Sequence, residues 1–440
     1  MVIGRAERKQ AELQAKLAGL DAEFTTWLAS SERDMPLEKH HTQIRAVIDS
    51  LRVPVEYLHG QVEDPAGLDR WTQTERELLR VHEVWDFFRQ KLALRDVPVF
   101  RPYLDLADEF TWACYEPAQR LSRGAEQPPP GSTREPPLTF LGPVAAPFAI
   151  PRGSSYAQQV GPGVMNSAQL AEAVRRLPIP LVAVPWFQLR HLPDALVLGH
   201  EVGHHVEDDF GLTLTLNGLA DTALADAPGE HRRQWQGWLG EVFADTYGAL
   251  CGGLAFGQAL ADFAMTGPEA VAGTAEYPPL RIRVLVAAEA LARPGSAGWR
   301  DTLLAQWASD FPAEEPSVYD EEAAAVVQSL IDGPYPQFGG VKLTSVADAS
   351  AWEETAGQTA TALLKRSQLS PAIDIRVLLA AAGQAFARNP GRYQEYGATQ
   401  TVLTHAHTIE TKGLRASRQV IEQPGRDEAA GRALLDLITA

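Results

Sequence analysis

The sequence predicts a mainly α-helical protein with a small β-sheet, an α+β fold. Apolar residues recur at spacings of three and four through most of the chain, the period of an amphipathic helix. Extended apolar runs are few, short and bounded by proline. A third observation places the chemistry: Gly199-His200-Glu201-Val202-Gly203-His204-His205 lies in a helical pattern near the middle of the 440 residues.

In chain order, residues 1–122 read as an N-terminal helical domain. Leu13, Leu17, Leu20, Phe24 and Trp27 form one stripe, and Leu78, Val81, Trp85, Phe88 and Leu92 another. Ile44, Val47, Ile48 and Leu51 make a shorter one, and Tyr103, Leu104, Ala107 and Phe110 a fourth. Stripes this short favour a bundle packed on itself over a partner-binding coiled coil. His40 and His41 stand in a charged stretch and are expected to be solvated. Arg123 to Pro137 is a linker by its proline, glycine and charge content. It makes the preceding helices candidates for recruiting or gating a target.

Residues 138–297 read as the core that carries the chemistry. Leu138–Leu141 and Ala145–Ile150 are short extended segments, and Ser167 to Arg176 a helix. Ile179 to Pro185, apolar with prolines, suits an edge strand. Asp194 is placed to cap the motif helix, and Asp208, Asp209 and Gly211 mark its exit. Gly203 costs helix propensity, so close packing is expected there. Trp235, Trp238, Leu239 and Val242 give a second helix, and Ile282 to Ala292 a third. Residues 298–440 form a C-terminal helical region, with helices over Asp301–Ser309, Asp320–Ile331, Ala349–Lys365, Pro371–Arg388 and Asp427–Ile438. Gln337 to Leu343 reads equally as strand or loop.

On a helix, His200 and His204 share one face and can share one metal ion, while Glu201 is turned aside, within reach of a water there. A catalytic zinc site takes a third protein ligand. Glu241 is the best candidate, and Asp245, four residues on, can accept the outer N–H of a ligand histidine. His205 points about 100° from His204 and reads as structural. His405 and His407, two apart, do not share a helical face, and His191 reads as a loop residue.

The His200-Glu201-x-x-His204 pattern followed by Glu241-x-x-Ala244-Asp245 resembles the gluzincin clan of zinc metallopeptidases. Tyr277-Pro278-Pro279-Leu280-Arg281-Ile282 is similar to the His-Pro-Pro…Arg segment of HtpX-type peptidases. Tyr277 stands where they carry histidine, and their membrane helices are missing. The resemblance covers residues 165–290. It implies a zincin-like core, zinc held by His200, His204 and Glu241, Glu201 as general base, and an edge strand that pairs with a polypeptide substrate, for which Leu181–Val184 and Ala145–Ile150 are both candidates. Tyr277 and Arg281 are the candidates for stabilising the oxyanion.

The expected function is therefore zinc-dependent peptide hydrolysis of narrow specificity. A helical scaffold with a structural zinc, or a zincin fold without activity, is the alternative. A net charge of −17 argues against nucleic acid or anionic lipid as partner. Two cysteines, Cys114 and Cys251, build no disulfide framework. The first residues lack the apolar run of a signal peptide. Thr246 to Ala261, the most apolar run, is too short to span a bilayer. Together these point to the cytoplasm.

Overall fold

The structure, a computed structural model, describes residues 4–64, 70–125, 134–142, 147–150, 172–173, 176–177, 179–186, 190–264, 273–294, 297–311, 316–409 and 424–439. It is mainly helical with one three-stranded sheet, as the sequence predicts. The helix expected over Ser167 to Arg176, and most of the Arg123–Pro137 linker, lie largely outside the described residues.

Four helices come first: α1 (Arg5–Ser30), α2 (His41–Glu63), α3 (Trp71–Ala93) and α4 (Arg101–Gly124). The stripes that predict them are the buried ones, with Leu13, Leu17, Leu20 and Phe24 of α1 facing Trp85 and Phe88 of α3. They do not all share one core. Helices α1–α3 form a cluster of their own, whereas Leu104, Phe110, Cys114 and Tyr115 of α4 belong to the larger core around the histidine motif.

Strands β1 (Leu138–Gly142), β2 (Phe148–Ile150) and β3 (Leu181–Pro185) form a sheet of order β1-β3-β2, with β1 parallel and β2 antiparallel to β3. The run expected at an edge is thus the central strand. Its prolines lie at its ends, so Pro180 and Pro185 cost the interior ladder nothing. Side chains alternate across a strand: Val182 and Val184 face the larger core, Leu181 and Ala183 the N-terminal cluster. The sheet is therefore covered on both faces, and every residue of β3 is buried.

His40 and His41 are buried rather than solvated. Their partners are remote in sequence, which is why local composition misled. His40 Nε2 meets Asp108 Oδ2 at 3.1 Å and its Nδ1 meets Gln43 at 2.7 Å, while His41 Nδ1 meets Ser31. Asp108 also accepts from Arg95 at 2.8 and 3.0 Å and from Thr139 of β1. This buried polar hub joins α2, α4 and the sheet.

After the sheet, a 3₁₀ turn (Leu192–Val197) leads into α5 (Leu198–Phe210). Asp194 bonds His191 at 3.0 Å and caps nothing, because the turn continues directly into the helix and leaves no exposed end there. Gly211, at φ 64°, closes α5 with a left-handed residue that glycine adopts without strain. Helix α6 (Thr213–Ala223) and the turn at Pro228 precede α7 (Gly229–Ala264). Its central residues from Thr246 on are buried in the core, and no described helix is long and apolar enough to cross a membrane.

Helices α8 (Leu280–Ala290), α9 (Ala297–Asp310), α10 (Val318–Asp332), α11 (Glu353–Leu363), α12 (Ile375–Arg388), α13 (Pro390–Glu395), α14 (Ala398–Ile409) and α15 (Pro424–Thr439) complete the chain. Gln337 to Leu343 is a loop: Gly339 and Gly340 have positive φ, and a single bridge joins Tyr335 to Val341. Helix α15 returns to the N-terminal cluster. Gly431 lets it close on α2, since a Cβ there would lie 2.5 Å from Ser50 O, and Leu434 and Ile438 are buried with the residues of α1–α3.

Candidate metal centre

The centre is built where α5 crosses α7. A Cβ on Gly203 would stand 2.8 Å from the Ala244 Cα, so only glycine allows this approach. The close packing expected from the cost of a mid-helix glycine is the backbone of α7. That contact brings Glu241, one turn before Asp245, opposite the two motif histidines.

His200 Nε2 and His204 Nε2 lie 3.0 Å apart. Glu241 Oε2 is 3.5 Å from His200 Nε2, and Oε1 is 3.4 Å from His204 Nε2. A tetrahedral ion with bonds of about 2.0–2.1 Å would space its ligand atoms about 3.3 Å apart, so the donor set fits zinc in both size and chemistry. Among the described residues it is the one group of three or more His, Cys, Asp or Glu side chains arranged to hold a metal.

Asp245 is fully buried and sits 2.8 Å from His200 Nδ1. Burial alone would raise its pKa. Arg283 and His200 outweigh that and hold it below the usual value, so Asp245 is an acceptor. The His200 Nδ1–H therefore donates to it, and the Nε2 lone pair faces the cluster. Arg283 of α8 donates to both Asp245 oxygens, at 2.7 and 2.8 Å, and lies 3.4 Å from Glu241 Oε2. Burial would raise Glu241 too, yet His204, His200 and Arg283 bring it down to about 2.

Arg281 is not at the centre. It donates to Asp320 of α10 at 2.6 and 2.8 Å. Two residues on a helix point about 200° apart, so Arg281 and Arg283 leave α8 on opposite sides. The resemblance drew attention to Arg281, whereas Arg283 reaches the ligands.

The cluster opens into a cleft of about 590 Å³ lined by His200, Glu201, His204, Glu241, Tyr277 and Phe148, among others. Glu201 is 5 % exposed, and burial pushes its carboxyl up from the ordinary value. It borders the cleft. Tyr277 stands at the rim, 53 % exposed, and Glu241 followed by partial burial raises its pKa, so the phenol keeps its proton. Strand β2 contributes Phe148 and Ala149 to one wall. Of the two edge-strand candidates, the segment ending at Ile150 is the outer strand beside the cleft.

The remaining histidines lie elsewhere. His205 Nε2 meets Leu181 O of β3 at 3.2 Å, pinning α5 to the sheet. His191 packs on Phe386, and His405 and His407 lie on α14. Sequence reasoning passed over Glu207 and read Asp208 only as the exit of the helix, whereas both line the cleft beyond His204. Their spacing of three and four from His204 was the available signal.

No family model, curated protein or solved structure matches the chain. Any functional reading rests on this geometry and on the chemistry of the residues that form it.

Proposed function

We propose that the chain is a zinc-dependent peptidase of the gluzincin type. One observation carries the reading: two imidazole nitrogens and a carboxylate converge at 3.0–3.5 Å in a cleft that a buried glutamate, Glu201, also lines. A site that only braced the fold would have no use for that glutamate or for the open side.

His200, His204 and Glu241 would hold the ion, with Asp245 and Arg283 fixing the His200 tautomer and the Glu241 rotamer. When bound, zinc supplies Lewis acidity, polarising a carbonyl and acidifying water. Glu201 takes the proton of the attacking water, a role favoured by a carboxyl whose pKa is raised by burial. It then delivers that proton to the departing amine. Tyr277, kept protonated, donates to the developing oxyanion, an interaction whose loss elsewhere typically costs about 3 kcal/mol of barrier. The outer edge of β2 gives an extended polypeptide a strand to pair with, a mode that reads main chain more than sequence.

The test is a comparison of wild type with Glu201→Gln and Glu241→Ala, scoring zinc content and the peptides released from a proteome digest. The expected result is one zinc per chain and cleavage for wild type, zinc without cleavage for Glu201→Gln, and neither for Glu241→Ala. Zinc bound with no cleavage by wild type would instead assign the ion a purely structural role.

A further inference from the structure

The segment that carries Tyr277 is tied down along its length. At its start Gly273 holds φ 73°, and a Cβ there would lie 2.5 Å from Pro279 N, so the chain closes tightly on itself between Gly273 and Pro279. Inside that loop Thr274 N donates to Tyr277 O at 2.7 Å. Thr274 Oγ1 accepts in return from Tyr277 N at 3.0 Å and from Glu276 N at 3.2 Å, a side-chain turn that fixes the Tyr277 backbone.

The loop is seated on the helix that supplies Glu241. Trp238 Nε1 donates to Thr274 O at 2.9 Å and Gln234 Nε2 to Ala275 O at 3.2 Å. Trp238 is itself fixed, with Trp235 and Tyr319 of α10 packed edge-on at centroid distances of 5.7 and 5.0 Å. Gly237 lets the two backbones meet, since a Cβ there would stand 2.7 Å from Ala275 O. Gly237 and Trp238 precede Glu241 by four and three residues, hence by one turn on the same side of α7. At its far end the loop runs into α8, whose Arg283 bonds Asp245. Tyr277 and Glu241 thus line one cleft and take their positions from one helix.

Building on the peptidase reading, we propose that this loop is a preformed mount for the oxyanion donor, with Thr274, Trp238 and Gly237 as positioning residues for Tyr277. A tyrosine on an unfixed loop would have to be ordered anew in each transition state, whereas here folding has fixed its backbone beforehand. A donor that meets only the oxyanion acts on kcat and leaves KM unchanged, and so do the residues that hold it.

The test uses the zinc-loaded full chain and a fluorogenic peptide spanning a cleavage site found in the proteome digest. Tyr277→Phe is expected to lower kcat about 100-fold. Thr274→Val keeps the side-chain shape and removes the accepting oxygen; kcat is expected to fall about tenfold with KM within about twofold of wild type, the scale of one or two lost hydrogen bonds. Thr274→Ser, which keeps the oxygen, recovers most of that loss. In the Tyr277→Phe background Thr274→Val lowers kcat no further. Calorimetry supplies a readout without turnover. A phosphinic analogue of the peptide, a mimic of the tetrahedral oxyanion, binds Thr274→Val about tenfold more weakly than wild type, while the uncleaved peptide binds Glu201→Gln equally well with and without Thr274→Val. Should Thr274→Val not fold, Gly237→Ala, which pushes Ala275 O away from α7, shows the same pattern. A Thr274→Val loss that persists in the Tyr277→Phe background, or one confined to Tm, overturns the mount and leaves the peptidase reading standing. Zinc bound without cleavage by wild type overturns that reading, and this inference with it.

Discussion

Removing the Arg283 guanidinium tests how the centre is assembled. Arg283→Met keeps the aliphatic bulk but strips two charge-assisted hydrogen bonds, at 2.7 and 2.8 Å, from a carboxylate that is fully buried. Breaking a buried pair from one side typically costs about 3–5 kcal/mol, because the partner charge is left without compensation. The stability of the metal-free protein, read by urea unfolding in chelator, is expected to fall by that amount. Zinc affinity is expected to fall about 10- to 100-fold as His200 and Glu241 lose their supports. Asp245→Asn alone is also costly, but the double variant removes both charges and recovers about 2 kcal/mol relative to the sum of the single losses. The pH dependence has a definite sign. Asp245 titrates below its ordinary 3.8 in the fold, so its contribution is present above pH 3.8 and disappears as pH falls through the lower folded value. Arg283→Met should flatten that acid limb. Additive single-variant losses, or an unchanged acid limb, would refute the reasoning.

Other perturbations probe other levels. Gly203→Ala drives a methyl into the Ala244 backbone, 2.8 Å away, so about 1–3 kcal/mol of stability is lost and zinc affinity drops as the histidines move from Glu241; calorimetry with and without zinc reads both. Chelating zinc from wild type should lower Tm, whereas Glu241→Ala should show the lower Tm already and no response to chelator. Lys91 lies over the Phe87 ring, and burial drives its pKa down to about 7 against the pull of Asp86. Its folded pKa is thus below the unfolded 10.5, so the penalty is full below pH 7 and fades by pH 10.5. Lys91→Met should therefore stabilise by about 2 kcal/mol at pH 6, a figure set below the full shift because the ring and the Phe87 carbonyl favour the ammonium, and by nothing at pH 11. Equal gains at both pH values would show that packing rather than charge decides. Deleting residues 1–122 removes Leu104, Phe110 and Tyr115 from the larger core, so the expected result is an insoluble chain rather than an enzyme of altered target choice.

The convergence of these side chains was legible because it depends on spacings that each helix fixes. His200 with His204, and Glu241 with Asp245, each declare a common face, and few residue types fit those roles. Arg283 was not legible, because choosing it over Arg281 needs the rotation of α8 against α7, a tertiary quantity. His40 and His41 failed for a related reason: their partner Asp108 is remote in sequence, and polar residues in a charged segment carry no mark of burial. The helical stripes predicted which residues are buried but not which core they join, so α4 was assigned with the three helices before it. For β3, proline content suggested an edge, whereas only the positions of the prolines, at the strand ends, decide whether a ladder survives.

The closure of α15 onto α2 bears on how the chain is made. The groove that receives Leu434 and Ile438 is formed by helices translated first, so their apolar floor stays wet until almost all of the described chain has left the ribosome. The N-terminal helices must persist half-finished through that interval. A nascent-chain experiment would find them sensitive to protease until the final helix emerges, and a clip anywhere in residues 424–439 would loosen the opposite end of the sequence.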